Sequence, residues 1–314
     1  MIRSTDRAPP PCIRREVGQC HLPSEVVPRA VAAGLILFFI ASIGACAGRD
    51  GAADAGASTS TTPSTSATST SVTSTTTTTS TVPGWVVGAE PLPLRPDGLG
   101  EIRPTPEPLR ERDLPTADLL PPPTDDEYHS TVEPLTDEVA ARMGRTWVDG
   151  CPVPLSDLRR VVLSFWGFDG AHHTGELVVR HDVADDVAWV FGQLHAARFP
   201  LEQVAMVTSA DLDAPPTGDG NTTAAFVCRP VRGGTTTSAH ALGLAIDVNP
   251  FTNPYVRGDV VIPELASAYL DRSWDRPGMI HAGDVVTSSF EAIGWVWGGE
   301  WDSPDYMHFS ANGR

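Results

Sequence analysis

Three segments after residue 134 have the features of helices. Between Asp182 and Phe199 the apolar side chains recur every three or four residues, at Val183, Val187, Val190, Phe191 and Leu194. This spacing places them on one helix face and predicts an amphipathic helix packed on a sheet. Shorter helices are predicted over DEVAARM, where Thr136 can cap the first turn, and over Val285–Ile293.

Other segments are rich in β-branched and aromatic residues, which is typical of strands. Two of them, Arg159–Phe168 and Gly175–Arg180, flank a turn rich in Gly and Asp. Further short strands are predicted at Val204–Ser209, Ala224–Cys228, Leu244–Val248 and Tyr306–Ser310. Because the strands come in runs and do not alternate strictly with helices, the pattern predicts an α+β fold with a mainly antiparallel sheet and flanking helices.

The longest apolar run lies near the N-terminus, from Ala30 to Ala45, after several Arg residues. A charged segment followed by an apolar run is typical of a secretory signal, and 16 residues are few for a membrane span. The run ends in IGAC, which resembles a bacterial lipobox with Cys46 as the acylated residue. We expect residues 1–46 to act either as a lipoprotein signal or as an uncleaved signal anchor.

Composition changes twice before the predicted globular part. In residues 58–82, 21 of 25 side chains are Ser or Thr, so this segment has almost no apolar surface to bury. Residues 83–123 contain 11 prolines, which favours extended polyproline-like conformations. We therefore predict a flexible linker over 47–82, a Pro-rich stalk over 83–133 and a folded domain over 134–314.

Charge and cysteine content narrow the function classes. All 22 basic residues are Arg, and with 39 carboxylates the formal net charge is -17. Phosphate neutralisation needs a basic patch, and since the sequence has none we expect no nucleic-acid partner. Only Cys151 and Cys228 lie inside the predicted domain, and since an exported compartment permits disulfides we predict a bond between them. Two separate buried thiols, or two zinc ligands, are the alternatives.

Candidate chemistry lies in two short segments. The first, SAHALGLAIDVNP, holds His240 and Asp247, and the two side chains can converge only if the chain turns at Gly243. Asp247 lies on an apolar strand, where an isolated carboxylate is costly to bury unless a cation or several donors accompany it. The second segment, WDSPDYMHFS, ends with His308 three residues after Asp305.

Two imidazoles and one carboxylate form the ligand set of a catalytic zinc site. Three protein ligands leave the fourth position to water, whose pKa the metal lowers to about 7. Asp305 is close enough in sequence to His308 to face the same water as general base. The sequence therefore predicts one zinc ion, held by His240, Asp247 and His308.

These motifs, SxHxxGxAxD followed by DxMHF, resemble those of the LAS-type zinc peptidases of bacterial cell-wall metabolism. That group contains D-alanyl-D-alanine carboxypeptidases and dipeptidases and L-alanyl-D-glutamate endopeptidases. The likeness extends over roughly 151–310. It implies a Hedgehog/DD-peptidase-like fold, the same three zinc ligands and Asp305 as catalytic base. Because the carboxypeptidases and dipeptidases most often have Glu at that position, Asp305 favours the endopeptidase branch weakly.

Substrate-binding residues are predicted less directly. The resemblance implies an Arg upstream of the first motif, and Arg229 is the first candidate because the disulfide would fix its neighbour Cys228; Arg232 is the alternative. A guanidinium suits a carboxylate or a developing oxyanion. Ser238, His173 and Trp297 are three further candidates for substrate binding. Each has a purely structural alternative, which is a role in a turn for Ser238 and His173 and core packing for Trp297.

Taken together, the sequence predicts an exported, membrane-anchored zinc peptidase of the bacterial cell envelope. Its expected substrates are stem peptides of peptidoglycan, cleaved as a carboxypeptidase or as an endopeptidase, and we expect a monomer. A cell-wall-binding module that keeps zinc without hydrolysing peptides is the competing class. A purely structural zinc site would more often close its fourth position with another Cys or His and would not need Asp305.

Overall fold

The computed structural model describes residues 85–231 and 235–313, which fall within one compact unit. The predicted export segment with Cys46, the predicted linker over 47–82 and the candidate Arg232 lie outside the described residues. Within the described ranges, no helix combines the length and the apolar composition needed to cross a bilayer.

The described chain contains five α-helices and ten short strands. The helices are α1 (Glu107–Arg110), α2 (Asp137–Met143), α3 (Ala184–Ala196), α4 (Ser209–Asp213) and α5 (Val285–Ala292). The strands are β1 (Ser130–Pro134), β2 (Leu158–Trp166), β3 (His172–Arg180), β4 (Gln203–Val204), β5 (Thr222–Thr223), β6 (Ala245–Asp247), β7 (Tyr255–Arg257), β8 (Val260–Ile262), β9 (Val296–Trp297) and β10 (His308–Ser310).

A three-stranded antiparallel sheet, in the order β1-β2-β3, forms one side of the domain. Helix α3 packs on it through the face predicted from the sequence, and α5 packs against α3. The core between them consists of buried side chains from α3 and the sheet, namely Val161, Leu163, Leu177, Val179, Val187, Val190, Phe191 and Leu194. Each such side chain contributes about 1.5–3 kcal/mol on burial, so this contact anchors the fold.

A second antiparallel sheet has the order β6-β10-β9. Its register places His308 directly opposite Asp247, Phe309 opposite Ile246 and Ser310 opposite Ala245. Ile246 and Phe309 are fully buried in the same core as α3. The sheet therefore joins the two candidate motifs by backbone pairing and fixes both to the main core.

The α+β class is confirmed, although the antiparallel strands are divided among several small sheets. Two predicted strands differ in extent. Thr208 caps a new helix through a capping box with Asp211, so the segment predicted as a strand over Val204–Ser209 ends as a strand at Val204. After β5, the segment predicted at Ala224–Cys228 continues only as a single bridge between Ala224 and Asp247.

The segment predicted as an extended stalk differs most from the structure. Leu92, Leu109 and Leu114 are buried in a second apolar cluster with Phe251 and Tyr269. The physical reason is that the few apolar residues between the prolines pack against an apolar surface of the domain. The composition of the segment itself does not reveal that surface. Residues 92–114 are therefore part of the folded unit.

A buried ion pair fastens this segment. The Arg112 guanidinium donates to both carboxylate oxygens of Glu202 at 2.5 and 2.7 Å and to the carbonyl oxygen of Asp219 at 2.7 Å. Asn221 donates to Glu202 at 2.7 Å and accepts from the backbone of Phe251 at 2.8 Å. The network thus links the segment to the turn that follows strand β6.

The predicted disulfide is confirmed. Cys151 and Cys228 are bonded, and their Cα atoms lie 5.9 Å apart. The bond joins the loop before β2 to the segment that leads towards His240. It therefore restrains the chain on the approach to the first candidate motif.

Candidate metal centre

Three candidate ligands converge at the edge of the second sheet. The ligating atoms of His240, Asp247 and His308 all lie within 4.8 Å of one another. His240 Nε2 is 3.2 Å from Asp247 Oδ1, and His308 Nδ1 is 3.0 Å from the same oxygen. In the described ranges, this is the one group of three or more His, Cys, Asp or Glu side chains arranged to hold a metal ion.

The turn that delivers His240 has the predicted form. His240 begins a short 3-10 helix that ends at Gly243, which has a left-handed φ of 65°. A Cβ at Gly243 would lie 2.7 Å from the backbone nitrogen of Arg180, so both the conformation and the space require glycine. The Ser238 hydroxyl accepts a hydrogen bond from the backbone N–H of His240 at 3.3 Å.

A backbone carbonyl selects the ligating nitrogen of His240. Its Nδ1 lies 2.6 Å from the carbonyl oxygen of Ala225. Because a carbonyl oxygen only accepts, Nδ1 carries the hydrogen, which leaves the lone pair of a neutral ring on Nε2. This is the arrangement by which metal-binding histidines are usually oriented.

Asp247 is the hub of the group. It ends β6, beside the fully buried Ile246 and Val248. Burial favours the neutral acid, but His240 and His308 outweigh it and hold the pKa of Asp247 well below its usual range. The carboxylate is therefore ionised and available to a cation.

Asp305 lies beside this group and has the opposite tendency. Burial, reinforced by the negative charge of Asp247, raises the pKa of Asp305 to about 7, although His308 and Arg229 act to lower it. Its Oδ1 is buried with no hydrogen-bond partner in the described part of the chain. A carboxyl group with a pKa near neutrality can both take up and release a proton, as a general base requires.

The backbone around Asp305 fixes its position. Its N–H donates to the carbonyl of Gly298 at 2.9 Å, and its carbonyl accepts from the N–H of His308 at 3.2 Å. A bridge to Tyr255 connects it to strand β7. A Cβ at Gly298 would lie 2.8 Å from the Asp305 carbonyl oxygen, so this approach depends on glycine.

The donor set fits a zinc ion. Imidazole nitrogen and carboxylate oxygen are ligands that Zn²⁺ accepts, and three protein ligands leave an open position. Asp305 Oδ1 is buried with no partner among the residues described, whereas the His308 nitrogen that would hold the ion is Nδ1, 3.0 Å from Asp247 Oδ1. Buried polar atoms without partners cost about 1–3 kcal/mol each, which is typical of a site built around a bound group.

Arg229 lies within electrostatic range of this group. Its positive charge acts to lower the pKa of Asp305, and its Nη1 donates to the carbonyl of Pro230 at 3.3 Å. The side chain is half-buried and follows the disulfide-bonded Cys228 directly in the sequence.

The contacts of His173 and Trp297 hold parts of the fold together. His173 is buried, with Nδ1 at 2.8 Å from Asp118 and Nε2 at 3.2 Å from Asp169, so it joins the segment before β1 to the β2–β3 turn. Trp297 donates to the carbonyl of Tyr306 and packs against the main core. The described contacts of these two side chains do not include the candidate ligands.

Sequence reasoning missed one feature of the site and chose a different tryptophan for another. The Ala225 carbonyl orients His240, but a backbone acceptor leaves no side-chain signal in a sequence. Trp301, rather than Trp297, packs near a ligand, with its ring centre 5.5 Å from that of His308. Its place at the start of WDSPDYMHFS was the available signal.

Comparison with known proteins identifies the segment that contains the candidate ligands as similar to a known family. Neither a curated protein nor a solved structure gave a match to the chain. Residues 232–311, which hold the three candidate ligands and Asp305, match the family model described as D-alanyl-D-alanine carboxypeptidase, so the resemblance to the LAS-type zinc peptidases is confirmed over this segment.

Proposed function

We propose that the protein is a zinc-dependent peptidase that hydrolyses D-amino-acid-containing peptides of bacterial peptidoglycan. The observation that carries this proposal is the convergence of His240, Asp247 and His308 beside a carboxyl group, Asp305, whose Oδ1 is buried and finds no partner in the described ranges. The family that residues 232–311 match is one of peptidases, which supports the reaction class. The Hedgehog/DD-peptidase-like fold is part of the same proposal.

Each residue of the chain has a defined task in this proposal. His240 Nε2, Asp247 and His308 Nδ1 hold the ion, which when bound lowers the pKa of water and polarises a carbonyl oxygen. Asp305 accepts a proton from the attacking water and passes it to the leaving amine. Arg229 binds a substrate carboxylate or stabilises the developing oxyanion. Ser238 holds the His240 turn, and Trp301 forms a wall beside His308.

The proposed setting is the cell envelope. An N-terminal signal that is lipidated at Cys46 or kept as an anchor would hold the chain at the membrane, with stem peptides as substrates and the protein as a monomer. The Ser/Thr-rich segment before residue 83 would separate the domain from the membrane.

The test uses muropeptides and the Asp305→Asn variant, with products identified by mass spectrometry. We expect the unaltered chain to cleave these peptides. Asp305→Asn should lose at least a hundredfold in kcat, since a general base typically contributes 10²–10⁴-fold. Both proteins should retain one zinc at the His240 centre. Asp302→Asn is the matched control, because Asp302 is an exposed carboxylate in the same loop.

The products distinguish the remaining alternatives. Release of a terminal D-alanine identifies a carboxypeptidase, and cleavage after L-alanine identifies an endopeptidase. Bound zinc with every peptide intact would overturn the enzymatic proposal in favour of a cell-wall-binding module. Full activity in Asp305→Asn would overturn the assignment of the base.

A further inference from the structure

A second pair of imidazoles lies outside the centre described above. His172 is the first residue of β3, and His195 lies in the last turn of α3. Their Nε2 atoms are 2.6 Å apart. Both residues are half-buried, so neither is enclosed in the core.

The His172 ring is oriented in the same way as that of His240. Its Nδ1 lies 2.7 Å from the carbonyl oxygen of Asp125, as His240 Nδ1 lies 2.6 Å from that of Ala225. The carbonyl fixes the hydrogen on Nδ1 and leaves a lone pair on Nε2 in the neutral ring. His172 therefore presents the nitrogen that a metal ion requires, with a backbone acceptor behind it.

Trp166 holds both rings in place. Its ring stacks on His172 with centres 4.7 Å apart and on His195 with centres 5.4 Å apart. Its indole N–H donates to the carbonyl of His195 at 3.1 Å. Arg198 has a left-handed φ of 53° just after α3, which turns the chain sharply at this point. The two imidazoles thus stand on rigid elements, which favours a preorganised site.

The charges near the pair are mixed: two carboxylates and the negative end of a helix dipole attract a cation, whereas the Arg198 guanidinium, 4.2 Å from the centre of the Trp166 ring, opposes one. His195 lies at the C-terminal end of α3, where the helix dipole is negative. Burial, followed by the charges of His172, Arg198 and His129, lowers the pKa of His195, which favours the neutral ring that a metal binds. The negative charge of Glu127 acts in the opposite direction. Asp125 adds a second carboxylate, 2.6 Å from His129.

We propose that His172 and His195 bind a divalent first-row transition-metal ion through their Nε2 atoms, at a site that shares no residue with the His240 centre. Two neutral imidazoles with water suit Zn²⁺, Cu²⁺ or Ni²⁺ and do not suit Mg²⁺ or Ca²⁺. Bonds of about 2.0 Å in tetrahedral geometry would place the nitrogens about 3.3 Å apart, so binding separates them by about 0.7 Å. The hydrogen that His195 Nε2 donates to His172 Nε2 would move through solvent to His195 Nδ1, which keeps the ring neutral and frees Nε2 for the ion.

The first test counts zinc per chain after equilibrium dialysis of the full chain at pH 7.5. We expect two for the unaltered chain, one for His172→Gln, one for His195→Gln and one for His308→Gln, which removes a ligand of the other centre. His181→Gln is the matched control, because His181 is an exposed histidine next to the end of β3, and it should retain two. Unchanged zinc counts in both His172→Gln and His195→Gln would overturn the proposal.

The counts also separate this proposal from the proposed peptidase. If the His240 centre held no zinc, the unaltered chain and His308→Gln would each bind one ion, and His172→Gln would bind none. A second measurement needs no variant: anomalous X-ray scattering at the zinc edge, from crystals grown with excess zinc, should give a peak between the two Nε2 atoms. No peak there would mean that the rings only share a proton, and would overturn the proposal.

Discussion

The ion pair between Arg112 and Glu202 offers a sharp test of how the N-terminal segment is held. The Arg112 side chain is 0% exposed and that of Glu202 is 10% exposed. Replacing Arg112 with Met keeps most of the aliphatic volume but leaves the Glu202 carboxylate buried with Asn221 as its one remaining described side-chain donor. Breaking a buried pair from one side costs about 3–5 kcal/mol, so we expect the free energy of unfolding to fall by that amount.

The measurement is urea denaturation of the metal-free, oxidised protein, followed by fluorescence and circular dichroism. Arg103→Met is the matched control, because Arg103 pairs with Glu101 at the surface, where the side chains are 47% and 52% exposed. Such an exposed pair contributes about 0–1 kcal/mol. A loss in Arg112→Met no larger than that in Arg103→Met would refute the reasoning.

A double variant checks the cause of the loss. In Arg112→Met/Glu202→Leu the buried charge is gone, and apolar replacements of a buried pair are often neutral. The Asp219 carbonyl loses its arginine donor in both variants. The further cost in the double variant is that of Asn221 without its acceptor, about 1–3 kcal/mol. We therefore expect the double variant to be more stable than Arg112→Met. Equal stability would mean that packing of the arginine stem, and not the orphaned carboxylate, determines the loss.

Three further predictions follow from the site and its supports. Gly243→Ala should lower both stability and zinc retention, measured by thermal unfolding and zinc titration, because the new Cβ would lie 2.7 Å from the Arg180 backbone nitrogen in a left-handed turn. Changing Cys151 and Cys228 together to Ser should cost about 4–5 kcal/mol in urea denaturation, since the bond closes a loop with a sequence separation of 77. Folding of the metal-free protein raises the pKa of Asp305 from 3.8 to about 7. Protonation of Asp305 therefore stabilises the fold below about pH 4, and this contribution to the free energy of unfolding is lost as the pH rises to about 7. Unfolding curves measured over a pH series should show that decline in the unaltered protein and not in Asp305→Asn.

The main core could be predicted because periodicity records burial directly. The apolar spacing between Asp182 and Phe199 corresponds to the buried face of α3, and the β-rich segments correspond to β2 and β3. The bounds of the short strands could not be predicted as well, because two or three residues are too few to show an alternation of apolar and polar side chains. Their pairing depends on partners far along the chain, as in β6 and β10.

The packing of residues 92–114 could not be predicted from local pattern. Leu92, Leu109 and Leu114 are isolated apolar residues among prolines, and their burial depends on a surface formed by Phe251 and Tyr269. Composition describes what a segment can bury by itself, whereas here the rest of the domain supplies the apolar partner.

The candidate ligands could be predicted because few residue types bind zinc and because Gly243 marks the turn between two of them. Their distances and the orientation of the rings could not, since these depend on the register of β6 and β10 and on the Ala225 carbonyl. His172 and His195 lie far apart in sequence, and only the packing of α3 on the sheet brings them together.

The disulfide and the candidate metal ligands of the His240 centre occupy consecutive stretches of the chain, and this order determines how the domain loses stability when each is removed. The disulfide closes the loop from Cys151 to Cys228, and an ion at the first centre would close the next one, from His240 to His308. Because the two loops follow one another without overlap, each link restricts a different stretch of the unfolded chain. In the His172→Gln variant, which lacks the second proposed site, reduction and chelation should therefore destabilise the domain additively, because each releases a different stretch of the chain.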